Sequence, residues 1–220
     1  MDFDPPTPSK PSPASTLNGV LRCAITDRSI FSGDESQRRS ALVETVSRWV
    51  SEGIELIQLR EKDLAPDDLV ALARAVRAAV PTESGSRLVI NSSVRAALLS
   101  KADGVHLPAH SPLLPDDVRR RYAIKQSGEP IVTVSCHTLA EVQVARRNRA
   151  DAILFAPVFG KTVDGREVVP AAGLEALHAA CLAAAPLPVY ALGGVSRANA
   201  SQCVKAGAAG VAGIRLFAGS

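Results

Sequence analysis

Eight short runs of β-branched and aliphatic residues alternate along this chain with longer, amphipathic, Ala-rich stretches. The runs fall at residues 21–26, 54–60, 87–91, 104–107, 131–135, 152–157, 187–192 and 209–214. Between them Leu42, Val46 and Trp49 predict a helix from about Ser40 to Ser51, and Leu69, Leu72, Ala73 and Val76 predict one opened by Pro66. A strand followed by a helix, repeated, builds a parallel sheet; eight such units with short connections predict one closed (β/α)8 barrel rather than an open doubly wound sheet. A chain of 220 residues suits such a single domain, placed at 19–220. Only residues 215–220 follow the eighth run, so the final helix is expected to be truncated or missing. The N-terminal segment, further chain, or a partner subunit in a homo-oligomer would then cover strands eight and one.

Residues 1–18 are rich in Pro and Ser without an apolar period, which predicts a disordered tail. No apolar run has the length of a bilayer crossing or of a secretory core, so no membrane partner and a cytoplasmic location are expected. The 25 basic residues barely outnumber the 22 acidic ones, which gives no argument for nucleic acid. Arg119–Arg121 and Arg146–Arg149 read as solvated helix faces. Cys23, Cys136, Cys181 and Cys203 lie far apart and form no CxxC pair, so free thiols are expected rather than a disulfide frame or zinc site.

Barrels of this kind place their chemistry at the carboxyl ends of the strands. The second run ends in Gln58, Arg60 and Lys62, where Ile57 and Leu59 point one way and Gln58 and Arg60 the other. This is a candidate anion site, with pairing of Arg60 and Lys62 to Glu61 and Asp63 as the alternative. Further strand ends carry Thr26 and Asp27, Asn91, His106, Ser111, Ser135 and His137, Lys161 in a polar loop over 159–167, Gly193 and Gly194, and Gly213 with Arg215. A Gly-Gly pair before a helix can bring backbone N–H groups against a phosphate, and Ser196 could cap that helix. Ser135 and His137 share a face of their strand while Cys136 takes the other, which argues against a Cys136–His137 nucleophilic pair. An imidazole at a barrel rim suits moving a proton on and off carbon. His106, within an apolar strand, reads as a core histidine.

The stretches TDR, IQLREKD, LVIN, ADGVHL, VSCHTLAE, FAPVF and YALGGV occur in this order. Together they resemble the thiamine phosphate synthase and thiazole tautomerase family over residues 21 to about 214. The resemblance implies a barrel that binds thiazole phosphate and, in the synthase branch, aminopyrimidine pyrophosphate with magnesium. Ser92 stands where the synthase pattern has an aspartate, and Pro108 to Ser111 replace a segment that carries an acidic residue. The tautomerase branch lacks that metal requirement, and Asn91, Leu107-Pro108 with Ser111, and His137 match it. In that reading no cofactor is expected. His137 is general base and acid, Gly193, Gly194, Gly213 and Arg215 hold phosphate, Arg60 with Lys62 orients a carboxylate, and Gln58, Asn91, Ser111, Ser135 and Lys161 line the substrate. The synthase, and a catalytically silent precursor-binding barrel, stand as alternatives.

Overall fold

The computed structural model describes residues 19–163 and 166–217; the expected tail over 1–18 lies outside them. The chain runs β1 (Leu21–Ile25), α1 (Glu35–Ser51), β2 (Leu56–Leu59), α2 (Pro66–Ala78), β3 (Arg87–Asn91) and α3 (Val94–Ser100). It continues through β4 (Gly104–Leu107), α4 (Pro115–Ile124), β5 (Ile131–Cys136), α5 (Leu139–Arg147) and β6 (Ala152–Phe155). A hairpin of β7 (Lys161–Val163) and β8 (Arg166–Val169) precedes α6 (Gly173–Ala184), β9 (Val189–Ala191), α7 (Ala200–Lys205) and β10 (Gly210–Gly213). Leaving the hairpin aside, the strands close into one barrel in the order β1-β10-β9-β6-β5-β4-β3-β2. Every neighbouring pair is parallel, and Ala24 pairs with both Ile57 and Gly213 where the barrel closes.

Two-residue alternation sorts the strand side chains into an inside and an outside. Cys23, Leu56, Val89, Leu154, Tyr190 and Ala212 belong to one cluster that fills the barrel. The alternate residues face the helices: Ile57, Leu88 and Val105 meet Val46, Val76 and Ala97, while Ile153, Val189 and Val211 meet Val142, Leu177 and Cys203. Burying each aliphatic side chain of this size contributes roughly 1.5–3 kcal/mol. The inner residues change character upward, from the apolar cluster to Gln58, His106 and Thr133, all buried. Polar side chains at that level are aimed toward the mouth formed by the strand C-termini.

Several local expectations are corrected. Helix α1 begins five residues before Ser40, because Asp34 and Gln37 form a reciprocal capping box, each side chain accepting from the other's backbone N–H at 2.8 Å. The loop expected over 159–167 gives way to the β7–β8 hairpin, which runs on to Val169 and whose polar, Gly-containing sequence gives no apolar alternation to read. Ser196 provides no side-chain cap to α7; its backbone N–H instead donates to Asn199 Oδ1 at 2.7 Å. Arg119 is not solvated: it bonds Glu129 and Asp151, with its side chain 12% exposed. After β10, Phe217 packs against both outer clusters and its carbonyl accepts from Trp49 Nε1 at 2.7 Å. Residues that follow the eighth barrel strand thus supply part of the cover that the sequence left open.

Candidate active site

The charged stretch after β2 divides by side-chain direction. Glu61 is buried and accepts from Thr26 Oγ1 at 2.6 Å, from the Arg28 backbone N–H at 3.1 Å and from Arg28 Nη1 at 3.0 Å. Asp63 takes the same guanidinium through two bonds of 2.7 Å, and Glu35 takes its Nε. The bonds from Asp63, ahead of the cost of burial, hold Arg28 far above its ordinary pKa. Both acidic residues of the stretch are therefore committed to Arg28, and the alternative pairing of Arg60 and Lys62 with them does not occur. Neither Arg60 nor Lys62 forms an ion pair among the described residues. Arg60 is fixed through its backbone instead, its N–H donating to Thr26 Oγ1 at 2.9 Å. An ion cluster centred on buried Arg28 and Glu61 thus fixes the backbone at Arg60 through Thr26.

Below them lies a polar layer inside the barrel. Gln58 Nε2 donates to Asn91 Oδ1 at 3.1 Å, and Asn91 Nδ2 donates to Ser92 Oγ at 3.0 Å. Gln58 Oε1 is buried with no partner among the described residues. His106 sits between Thr133 Oγ1 (2.8 Å from Nδ1) and Ser135 Oγ (2.9 Å from Nε2). Burial, with the Arg60 charge second, pushes its pKa down to about 3, so the ring is neutral. His106 is the buried histidine the sequence implied, yet it touches a predicted site residue.

His137 lies exposed at the end of β5. Its Nδ1 is 2.6 Å from the Ala156 carbonyl oxygen. A carbonyl can only accept, so Nδ1 carries a proton, and the tautomer this selects for an uncharged ring has its lone pair on Nε2. Glu141 fixes the backbone, accepting from the N–H groups of His137 at 2.6 Å and Thr138 at 2.9 Å. Burial alone would raise the Glu141 pKa, but those backbone bonds hold it below its ordinary value. Cys136 is buried on the opposite side, and burial pushes its thiol up to about 12, which removes it as a nucleophile.

Next to Ala156 the wall of a cavity of about 570 Å³ begins. Pro157, Gly193, Gly194, Gly213, Arg215 and Asp27 line it. Gly193 (φ +90°) and Gly194 (φ +64°) adopt left-handed backbone. A Cβ on Gly193 would stand 2.8 Å from Pro157 Cα, and one on Gly194 would stand 2.7 Å from Phe159 Cβ, so both positions require glycine. Asn199 Nδ2 ties down the Gly194 carbonyl at 3.0 Å. Neither glycine N–H donates to a described backbone group, which leaves them available to an anion. Gly213 and exposed Arg215 close the far side of this cup.

Of the residues the sequence assigns to the site, Gly193, Gly194, Gly213 and Arg215 line this cavity, whereas His137, Gln58, Arg60, Lys62, Asn91, Ser111 and Ser135 do not. Ser111 Oγ accepts from Leu113 N–H at 3.1 Å within a turn, and Ser111 and Ser135 both line a separate cavity of about 210 Å³. Lys161 begins the hairpin, and its side chain lies outside the described residues, as do Asp164 and Gly165. Sequence reading also misses Arg28 and Thr133: the first takes partners up to 35 residues away, and the second sits in an apolar strand with no motif around it.

Magnesium prefers carboxylate oxygens. At the ends of β3 and β4 stand Ser92, Pro108, Ala109 and His110, while Glu61 and Asp63 are taken by Arg28. No group of three or more His, Cys, Asp or Glu that could hold a metal ion occurs among the described residues. Among the described residues the carboxylates at the β2 end are thus already paired, and the wall of the cavity of about 570 Å³ carries one, Asp27.

A parallel eight-stranded barrel with a diglycine turn and a histidine at the carboxyl ends of its strands has the layout of barrel enzymes, whose sites form at that face. The profile of the Thiamine monophosphate synthase family matches residues 23–217, and the chain belongs to that family. It is 37% identical over 194 residues to "Putative thiamine-phosphate synthase 2" of Aquifex aeolicus, covering 88% of this chain and 95% of that one. A "Putative thiamine-phosphate synthase" of Geobacter sulfurreducens is 38% identical over 191 residues, covering 86% and 82%. Among solved structures, a thiamine phosphate pyrophosphorylase from Pyrococcus furiosus superposes with a TM-score of 0.73 at 25% identity, covering 92% and 89%. An enzyme of thiamine synthesis is the class these likenesses define.

Proposed function

We propose that this barrel aromatises a carboxythiazole phosphate by metal-free proton transfer at His137. The observation that carries the reading is the tautomer of His137 set by its Nδ1–H bond to Ala156, which leaves the Nε2 lone pair to act as a base. Nε2 removes a proton from the non-aromatic ring of the tautomer. The imidazolium formed keeps its Nδ1 bond to the carbonyl. Nε2–H then delivers a proton to the exocyclic carbon, so the ring becomes aromatic and the enzyme returns to its starting state. The diglycine cup with Gly213 and Arg215 holds the phosphate, and Arg60 with Lys62 holds the carboxylate. No step draws on a cofactor.

The names of the relatives favour a second reading, a thiamine phosphate synthase that joins an aminopyrimidine pyrophosphate to thiazole phosphate. Arg60 and Lys62, both free of acidic partners among the described residues, suit a pyrophosphate leaving group equally well. The test offers the purified protein both reactions separately: the carboxythiazole phosphate tautomer with excess chelator, and the two synthase substrates with magnesium. Turnover in the first alone supports the proton-transfer reading. Thiamine phosphate formation without tautomer turnover refutes it in favour of the synthase, and ligand binding without either product leaves a binding barrel.

A further inference from the structure

We infer that the buried Thr133–His106 pair acts as a tautomer lock that makes Ser135 a hydrogen-bond donor to the ligand's carboxylate. The argument begins with what a neutral imidazole can offer, one N–H and one lone pair. His106 spends both on hydroxyls: Thr133 Oγ1 lies 2.8 Å from Nδ1 and Ser135 Oγ 2.9 Å from Nε2. Two arrangements are possible. In the first, Thr133 donates its hydroxyl proton to Nδ1, and Nε2–H donates to Ser135. In the second, Nδ1–H donates to Thr133, and Ser135 donates inward to Nε2.

Burial separates them. Thr133 is 1% exposed, and its hydroxyl has no other partner among the described residues. The second arrangement therefore strands a hydroxyl proton in the barrel interior, whereas the first satisfies every buried donor. Ser135 is half-buried, on the inward face it shares with Thr133, so it alone of the two hydroxyls can reach a ligand. With Nε2–H occupying a lone pair of Ser135, its own proton is left to point into the mouth. A hydroxyl donor held in place through its own acceptor oxygen suits an anionic group such as a carboxylate. His106 is in this account a positioning residue: it acts through Ser135 and touches no reacting atom.

The choice of carboxylate rests on the proton-transfer reading above; the lock itself does not. Long-range proton–nitrogen NMR of the full-length protein, with His106 assigned by the His106→Gln spectrum, reports which ring nitrogen is protonated. A proton on Nε2 is the expected result, and a proton on Nδ1 overturns the lock. Thr133→Val keeps the shape but removes the locking hydroxyl, and Thr133→Ser restores it. Binding is then measured with thiazole phosphate carrying the carboxylate and with thiazole phosphate lacking it. Ser135→Ala should cost about tenfold for the carboxylated ligand alone, the scale of one hydrogen bond to a charged acceptor. Thr133→Val should move in the same direction by about threefold, with recovery in Thr133→Ser. Equal losses for both ligands, or no loss in Thr133→Val, overturn the assignment. If the wild-type protein binds neither ligand, the substrate reading falls, while the ring-proton result still decides the lock.

Discussion

Replacing Glu61 by Ala tests whether the acidic half of the β2 extension is structural. The Glu61 side chain is 2% exposed and serves three donors. Its loss does not strand the Arg28 guanidinium, because Asp63 and Glu35 remain on Nη1, Nη2 and Nε. Two buried donors do lose their acceptor, the Thr26 hydroxyl and the Arg28 backbone N–H, at about 1–3 kcal/mol each. A cost of about 4 kcal/mol follows, within the range for breaking a buried ion pair by removing one partner. With a urea dependence of about 3 kcal/mol per molar for a chain of this size, the unfolding midpoint should fall by roughly 1 M. Thr26 also anchors the Arg60 backbone, so affinity for phosphate-bearing ligands should fall in the fraction that stays folded. Lys62→Ala, which removes an exposed and unpaired side chain, should leave the midpoint unchanged while weakening ligand binding. A Glu61→Ala midpoint within the scatter of Lys62→Ala would refute the division of roles.

Three further perturbations have expected outcomes. Gly194→Ala places a Cβ 2.7 Å from Phe159 Cβ at a φ of +64°, so calorimetry should show phosphate-ligand affinity reduced more than tenfold, the factor for about 1.4 kcal/mol. Arg215→Ala removes a guanidinium from the same cup and should weaken thiazole phosphate binding about tenfold; unchanged affinity would show that Arg215 merely flanks the site. His106 has a folded pKa near 3 against an ordinary 6.5, so between those values the unfolded chain binds more protons than the native one. Its contribution to stability is complete above pH 6.5 and is lost as pH falls toward 3, by up to about 1.4 kcal/mol per pH unit. Urea titrations from pH 7 to 4 should therefore fall less steeply for His106→Gln than for the wild-type protein.

The barrel was legible because a parallel sheet buried on both faces needs apolar strands, and each helix between them writes its own period. His137, the diglycine and the β2 cations could be placed because strand ends in such a barrel converge on one mouth, whatever their distance in sequence. What went unread lacked a local signal. The motif marks Ser111 as a ligand residue but not that its hydroxyl oxygen also accepts a turn N–H two residues on. The Arg28 cluster depends on a partner 33 residues away, and the role of Thr133 depends on a strand neighbour 27 residues away. Such contacts follow from barrel register, which apolar patterning specifies only as inside or outside. The hairpin after β6 shows the complementary limit: it stands apart from the barrel sheet, and its polar, Gly-containing sequence carries no apolar alternation.

The central claim is that Nε2 of His137 moves the proton. Its most direct test is the single-turnover rate of carboxythiazole phosphate aromatisation, with excess chelator present, for the wild-type protein and for His137→Ala. The account predicts turnover that survives the chelator and falls by about 10²–10⁴-fold in the variant, the range for a positioned acid–base group, with ligand affinity retained. A variant that turns over at the wild-type rate would contradict it, as would a wild-type reaction abolished by the chelator.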